Sequence, residues 1–149
     1  MNVAMAKVAD LNDLLELVRD YQEEGEEFDV RTDEQITAYL KDILEDKSLG
    51  TVFIGRTSSG APVGFCIVYL VPSTYEATRN PTIMDLFVRD TMREKGFGRQ
   101  LFDHSIRWAK EKGFNRITCT VQNMNMAAQY LFEPYNPDSS GWIQYTVDL

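Results

Sequence analysis

The chain reads as a single α/β domain spanning residues 1–149, a mixed sheet with helices on both faces, and three observations predict this. Its apolar runs follow the order β-α-α-β-β-β-α-β-α-β. The runs "FCIVYL" and "LFV" are continuously apolar, as strands covered on both faces must be. No linker, repeat or low-complexity tract divides the 149 residues, a length that lets one domain bury roughly two thirds of its unfolded surface.

Residues 3–9, "VAMAKVA", read as a short first strand. Asp10 offers an N-cap to an amphipathic helix in which Leu11, Leu14, Leu15 and Val18 share a face, ending near Tyr21. An acidic link, "QEEGEEFDVR", leads to Thr32, which forms a capping box with Gln35 ahead of the helix "DEQITAYLKDIL". "TVFIGRT" and "APVGFCIVYL", joined by "SSG", predict a β-hairpin, and "VPSTYEATRNP" a polar loop. The strand "TIMDLFVR" follows, then a helix from about Phe97 to Lys112 with Leu101, Phe102, Trp108 and Ala109 on one face, closed by Gly113. "RITCTVQ" reads as a strand and "NMNMAAQYLFE" as a short helix that Pro134, Asn136 and Pro137 end, before a last strand "GWIQYTVDL".

With Asp+Glu 23 against Lys+Arg 15 and net charge −8, the chain lacks the basic surface a nucleic-acid binder needs, and it suits a cationic substrate. No apolar run nears the ~20 residues that cross a bilayer, and the N-terminus has no positive stretch followed by an apolar one, so no membrane partner and a cytoplasmic location are expected. Cys66 and Cys119 lie in strand-like runs without metal-ligand spacing, and no metal site is expected. His104, the one histidine, falls at the edge of an apolar helix face and reads as structural, and Met124 and Met126 as packing residues.

The segment "RDTMREKGFGRQL", 89–101, places Gly96 and Gly98 where a strand enters a helix. Backbone N–H groups and the positive end of a helix dipole suit phosphate there, with Arg93, Lys95 and Arg99 adding charge. Neither the dinucleotide fingerprint nor the Walker A pattern fits, since Leu101 stands at the third glycine and no Gly-Lys-Ser/Thr is present.

"LFVRDTMREKGFGRQL" resembles the signature of the GNAT superfamily of N-acetyltransferases, with Val88 followed by Arg93-x-x-Gly96-x-Gly98. "RITCTV" and the run containing Asn125, Ala128, Leu131 and Glu133 resemble the family's next strand and helix, and the element order is similar to the family's, with its mostly antiparallel sheet. The resemblance implies acetyl-CoA as co-substrate, its pyrophosphate on Arg93, Glu94, Lys95, Gly96, Phe97, Gly98 and Arg99. Its pantetheine arm would lie along Leu86, Phe87 and Val88, with the N–H of Phe87 or Val88 stabilising the oxyanion, and Asn125, Ala128 and Phe132 would complete the cofactor side. Three positions depart from the pattern: Asp90 replaces a proline, Glu94 a glycine, and Phe132 the tyrosine that protonates the departing thiolate. Tyr135 or Tyr130 could replace that acid, or the thiolate leaves unaided.

An ammonium of pKa about 10.4 must lose a proton before it attacks, so a base is needed. Asp85 is the first candidate, with Glu23, Glu24, Glu26 and Glu27 of the acidic link as others. "PSTYEATRNPTIMDLFV" further resembles the diamine and polyamine branch of the family, although Met84 stands where that branch has an acid. The reading is acetylation of a primary amine, that of a small cationic molecule, by direct transfer in a ternary complex. The alternatives are a protein N-terminal or lysine acetyltransferase, and an acyl-CoA-binding module with little turnover. The last strand also makes a homodimer plausible.

Overall fold

A computed structural model describes residues 2–25, 31–135, 137–138 and 146–147. Five strands form one sheet in the order β1-β2-β3-β4-β5: β1 (Asn2–Met5), β2 (Gly50–Arg56), β3 (Pro62–Ser73), β4 (Thr78–Val88) and β5 (Thr118–Cys119). The pairings are antiparallel except β4 with β5, which run parallel because helix α3 (Phe97–Glu111) carries the chain back across the sheet. This is the predicted fold class, with helices on both faces.

Helices α1 (Leu11–Glu24) and α2 (Asp33–Glu45) cover one face. Leu14, Leu17, Ile36, Leu40, Ile43 and Leu44 pack there against Val52, Ile54, Phe65, Ile67 and Phe87. On the other face α3 sets Leu101, Phe102, Ile106 and Trp108 against Phe53, Cys66, Val68, Ile83 and Val88. Each such side chain taken from water is worth roughly 1.5–3 kcal/mol, so strand alternation alone commits both helical layers to their faces. Helix α4 (Met126–Phe132) lies beside α3, where Phe132 meets Phe102 edge to face at 5.0 Å.

Thr32 and Gln35 form the expected capping box. Four local expectations need correction. Asp10 does not cap α1: it ends a 3-10 turn, Val8–Asp10, its Oδ2 accepting from Lys7 N at 2.8 Å while Oδ1 meets Arg56 at 2.7 Å. The first strand therefore stops at Met5. Residues 71–81 are not a loop, since β3 and β4 pair as far as Ser73 and Thr78 and only a tight turn separates them. "RITCTVQ" supplies only Thr118 and Cys119 as strand. The predicted last strand, apart from Thr146 and Val147, falls outside the described residues, as do Glu26 and Glu27. Among the described residues no helix is long and apolar enough to cross a membrane.

Candidate active site

The site begins with one extra residue in β4. Ile67 pairs with Asp85 and Val68 with Ile83, which leaves Met84 without a partner, a β-bulge. A bulge reverses the alternation of side chains. Ile83 accordingly packs in the α3 layer, whereas Phe87, in step with Asp85, packs in the α1/α2 layer. Asp85 is thereby turned beneath α1 and α2.

There it lines a cavity of about 440 Å³ walled by Val18, Ile36, Leu40, Phe65 and Ile67, with Tyr21, Gln22, Arg31, Gln35, Tyr39 and Tyr69 supplying polar groups. Tyr69 donates its hydroxyl to Asp85 Oδ2 at 2.6 Å, Tyr21 to Oδ1 at 3.4 Å, and Tyr39 donates to Tyr69 Oη at 2.9 Å. Burial, and then the Asp85 charge, push the Tyr21 and Tyr69 hydroxyls above the usual phenol range, and burial does the same for Tyr39. All three phenols stay protonated at neutral pH and act as donors. These tyrosines were not singled out in the sequence: Tyr21 and Tyr39 belong to amphipathic helices and Tyr69 to an apolar strand, and only the bulge and layer packing bring them together.

The second feature is an open strand edge. Beyond Thr82 with Thr118 and Ile83 with Cys119, the Thr120 N–H donates to Ile83 O at 3.2 Å and β5 ends. From Met84 to Val88 the β5 side of β4 has no strand partner among the described residues. Which groups point there follows from the ladder. Arg89 N donates to Val63 O at 2.9 Å, and successive residues of a strand alternate in direction, so Phe87 also faces β3. The strands are close here, because a Cβ on Gly64 would collide with the Phe87 carbonyl oxygen. Leu86 and Val88 turn their backbone groups to the open edge, and Arg93 Nε already reaches the Val88 carbonyl at 2.9 Å. Of the two N–H groups at Phe87 and Val88, the ladder parity turns that of Val88 to the open edge.

The open edge leads to the N-terminus of α3. Gly96 takes φ +81°, which a residue with a Cβ adopts only at a cost, and no side chain caps the helix. The first-turn N–H groups have no partner within the helix. A Cβ on Gly98 would meet nothing nearer than Leu86 and Val88 side chains at 3.9 Å, so the space over it is free for a ligand. An uncapped helix start with free space above its second residue fits a pyrophosphate.

The basic side chains at this corner already meet protein groups. Arg93 pairs with Glu24, lies 5.9 Å from the Phe87 ring centroid and reaches Asp90 at 3.4 Å. Lys95 donates to Thr91 O at 2.8 Å, and Arg99 donates to the Leu131 carbonyl and to Tyr130 O at 2.9 Å, tying α4 to α3. Glu94 stands at φ +60°. Asn125 Oδ1 accepts from Ala128 N at 3.0 Å, so both serve the N-cap of α4. Phe97 is buried in the α3 layer and Leu86 packs against it.

Tyr135 donates to Asp103 Oδ1 at 2.9 Å on the flank of α3, and Tyr130 is 68% exposed. Glu24 is held by Arg93, and Glu23 lines a separate, smaller hollow with Asp20, Arg89 and Asp90. His104 Nδ1 lies 2.8 Å from the Gln100 carbonyl, consistent with a structural part.

The sequence profile described as the Acetyltransferase (GNAT) family matches residues 11–134, which include every element of this site. The chain belongs to the GNAT acetyltransferase family. A relative from Bacillus subtilis (strain 168), the uncharacterized N-acetyltransferase YhfO, is 28% identical over 152 residues, covering 100% of this chain and 98% of its own. Among solved structures, a probable acetyltransferase is similar in fold at a TM-score of 0.82, with 20% identity, 100% of this chain and 98% of that one covered. A predicted acetyltransferase with acetyl-CoA from Clostridium acetobutylicum superposes at a TM-score of 0.76, with 20% identity over 97% and 95% of the two chains. GNAT acetyltransferases use acetyl-CoA, and this protein is an acetyltransferase of that family.

Proposed function

We propose that the protein acetylates a primary amine of a small molecule that arrives as a cation, in a ternary complex with acetyl-CoA. One observation carries the reading: the bulge at Met84 sets Asp85 into a cavity on one side of β4, while the same few residues leave an open edge that runs to the uncapped start of α3. A cavity of about 440 Å³ suits a small molecule, and among the described residues that line it the one carboxylate is Asp85.

When bound, acetyl-CoA supplies a thioester carbonyl as electrophile. The first turn of α3 would hold its phosphates, and Leu86 and Val88 would pair with its arm. Asp85 holds the ammonium of the acceptor and takes its proton, directly or through water, so that the nitrogen lone pair is free to attack. The Tyr69 and Tyr21 hydroxyls fix the carboxylate and cannot compete as bases, being protonated themselves. Val88 N–H stabilises the carbonyl oxygen as charge develops on it. A C–N bond forms and the C–S bond breaks; the sulfur leaves as thiolate, and the second proton that the nitrogen sheds passes to it through solvent. A thiol of pKa about 8.5 is a tolerable leaving group, whereas a general acid adds typically 10²–10⁴-fold.

Phe132 favours one second reading, an acyl-CoA-binding module with little turnover, since its ring packs on Phe102 and brings no hydroxyl. Release of CoA thiol from acetyl-CoA in the presence of simple alkylamines separates the two. Amine-dependent release with acetylated amine as product supports transfer, and tight acetyl-CoA binding without release supports the module.

A further inference from the structure

Among the described residues two charged side chains line the acceptor cavity, and they differ in sign and position. Asp85 belongs to the sheet at its floor, whereas Arg31 is exposed at its rim, where the chain enters α2. The rim is braced: Arg19 Nη1 donates to the Arg31 carbonyl at 2.8 Å and its guanidinium also pairs with Asp33, which fixes the main chain from which the Arg31 side chain reaches the cavity. The remaining lining is mostly aliphatic and aromatic, with Gln22 and Gln35 as its amides. A third group asks for a ligand. Gln22 lines the same cavity, and its Oε1 is buried with no hydrogen-bond partner among the described residues, a cost that a ligand N–H would remove.

From this arrangement we infer that the acceptor is an amino carboxylate, with its ammonium at Asp85 and its carboxylate on the Arg31 guanidinium. The inference rests on the acetyl-transfer reading of the cavity and narrows it. A guanidinium presents paired donors that match one carboxylate, so a single arginine suffices for that end. A diamine of similar length would bring its second ammonium toward Arg31, where like charges repel. The net charge of −8 draws cations to the protein in general, but the local charge in the cavity decides which cation stays.

The test uses the full chain saturated with CoA and calorimetric titration of three ligands of one length: 5-aminopentanoate, pentylamine and 1,5-diaminopentane, which end in carboxylate, methyl and ammonium. The expected order places 5-aminopentanoate about tenfold tighter than 1,5-diaminopentane. Arg31→Gln lowers affinity for 5-aminopentanoate about tenfold and leaves pentylamine unchanged, while Arg31→Lys recovers part of the loss. Tightest binding of the diamine, an equal effect of Arg31→Gln on all three ligands, or no heat from any of them overturns the assignment. CoA release with pentylamine is measured in parallel. Turnover without a carboxylate preference overturns the Arg31 assignment alone, and binding of 5-aminopentanoate without CoA release from acetyl-CoA overturns acetyl transfer alone.

Discussion

Asp85 accepts from two phenols and stands at the floor of a cavity whose other walls are largely apolar. Replacing it by Asn keeps the shape and removes both the charge and the proton acceptor. Asp85→Asn is predicted to lower kcat/KM for alkylamines by about 10²-fold or more and to leave acetyl-CoA affinity unchanged. Steady-state rates with calorimetry on the same preparation check this. Phe132 carries the opposite prediction, because the residue it replaces is the one that would protonate the leaving sulfur. Phe132→Tyr is expected to raise kcat by about tenfold below pH 8, where an unaided thiolate departs least readily. An unchanged kcat in a variant with normal melting temperature would show that the leaving group needs no acid here.

At the scale of elements, the turn into α3 separates the needs of folding from those of binding. A Cβ on Gly98 meets side chains only at ordinary contact distance, and alanine is the better helix former. Gly98→Ala is predicted to keep or slightly raise the melting temperature while weakening acetyl-CoA binding. Equal acetyl-CoA affinity in wild type and variant would remove the phosphates from above that residue. The glycine turn and the helix it opens were legible in the sequence because local backbone demands produced them. The Thr32 and Gln35 capping box was legible for the same reason. The bulge at Met84 was not, since a bulge is defined against the partner strand and "TIMDLFV" contains no glycine to mark it. The length of β5 was hidden likewise: "RITCTVQ" has strand composition, and only its divergence from β4 after Cys119 ends the pairing.

Across the whole molecule, two layers on one sheet bury both cysteines to different degrees. Burial pushes the Cys66 thiol up to about 12, from an ordinary value of 9.0. The stability this protonated thiol contributes is fully present below pH 9 and is lost as pH rises toward 12, because the unfolded chain releases the proton first. The decline is about 1.4 kcal/mol per pH unit for one such group, and Cys119, also raised to about 12, and Tyr69 add to it. Melting temperature is predicted to fall steadily above pH 9, and Cys66→Ala to make the fall shallower. The fold class and the order of the described elements could be read from apolar periodicity and resemblance. The tyrosines around Asp85 could not, because α1, α2 and β3 meet there only after the core has packed.

The most direct test is the initial rate of CoA release from acetyl-CoA with pentylamine, for wild type and Asp85→Asn, with the acetylated product identified by mass. Amine-dependent release that yields N-acetylpentylamine and falls about 10²-fold in Asp85→Asn is the predicted result. No amine-dependent release from a protein that binds acetyl-CoA, or equal rates in the two proteins, would contradict the assignment of Asp85 and its cavity as the acceptor site.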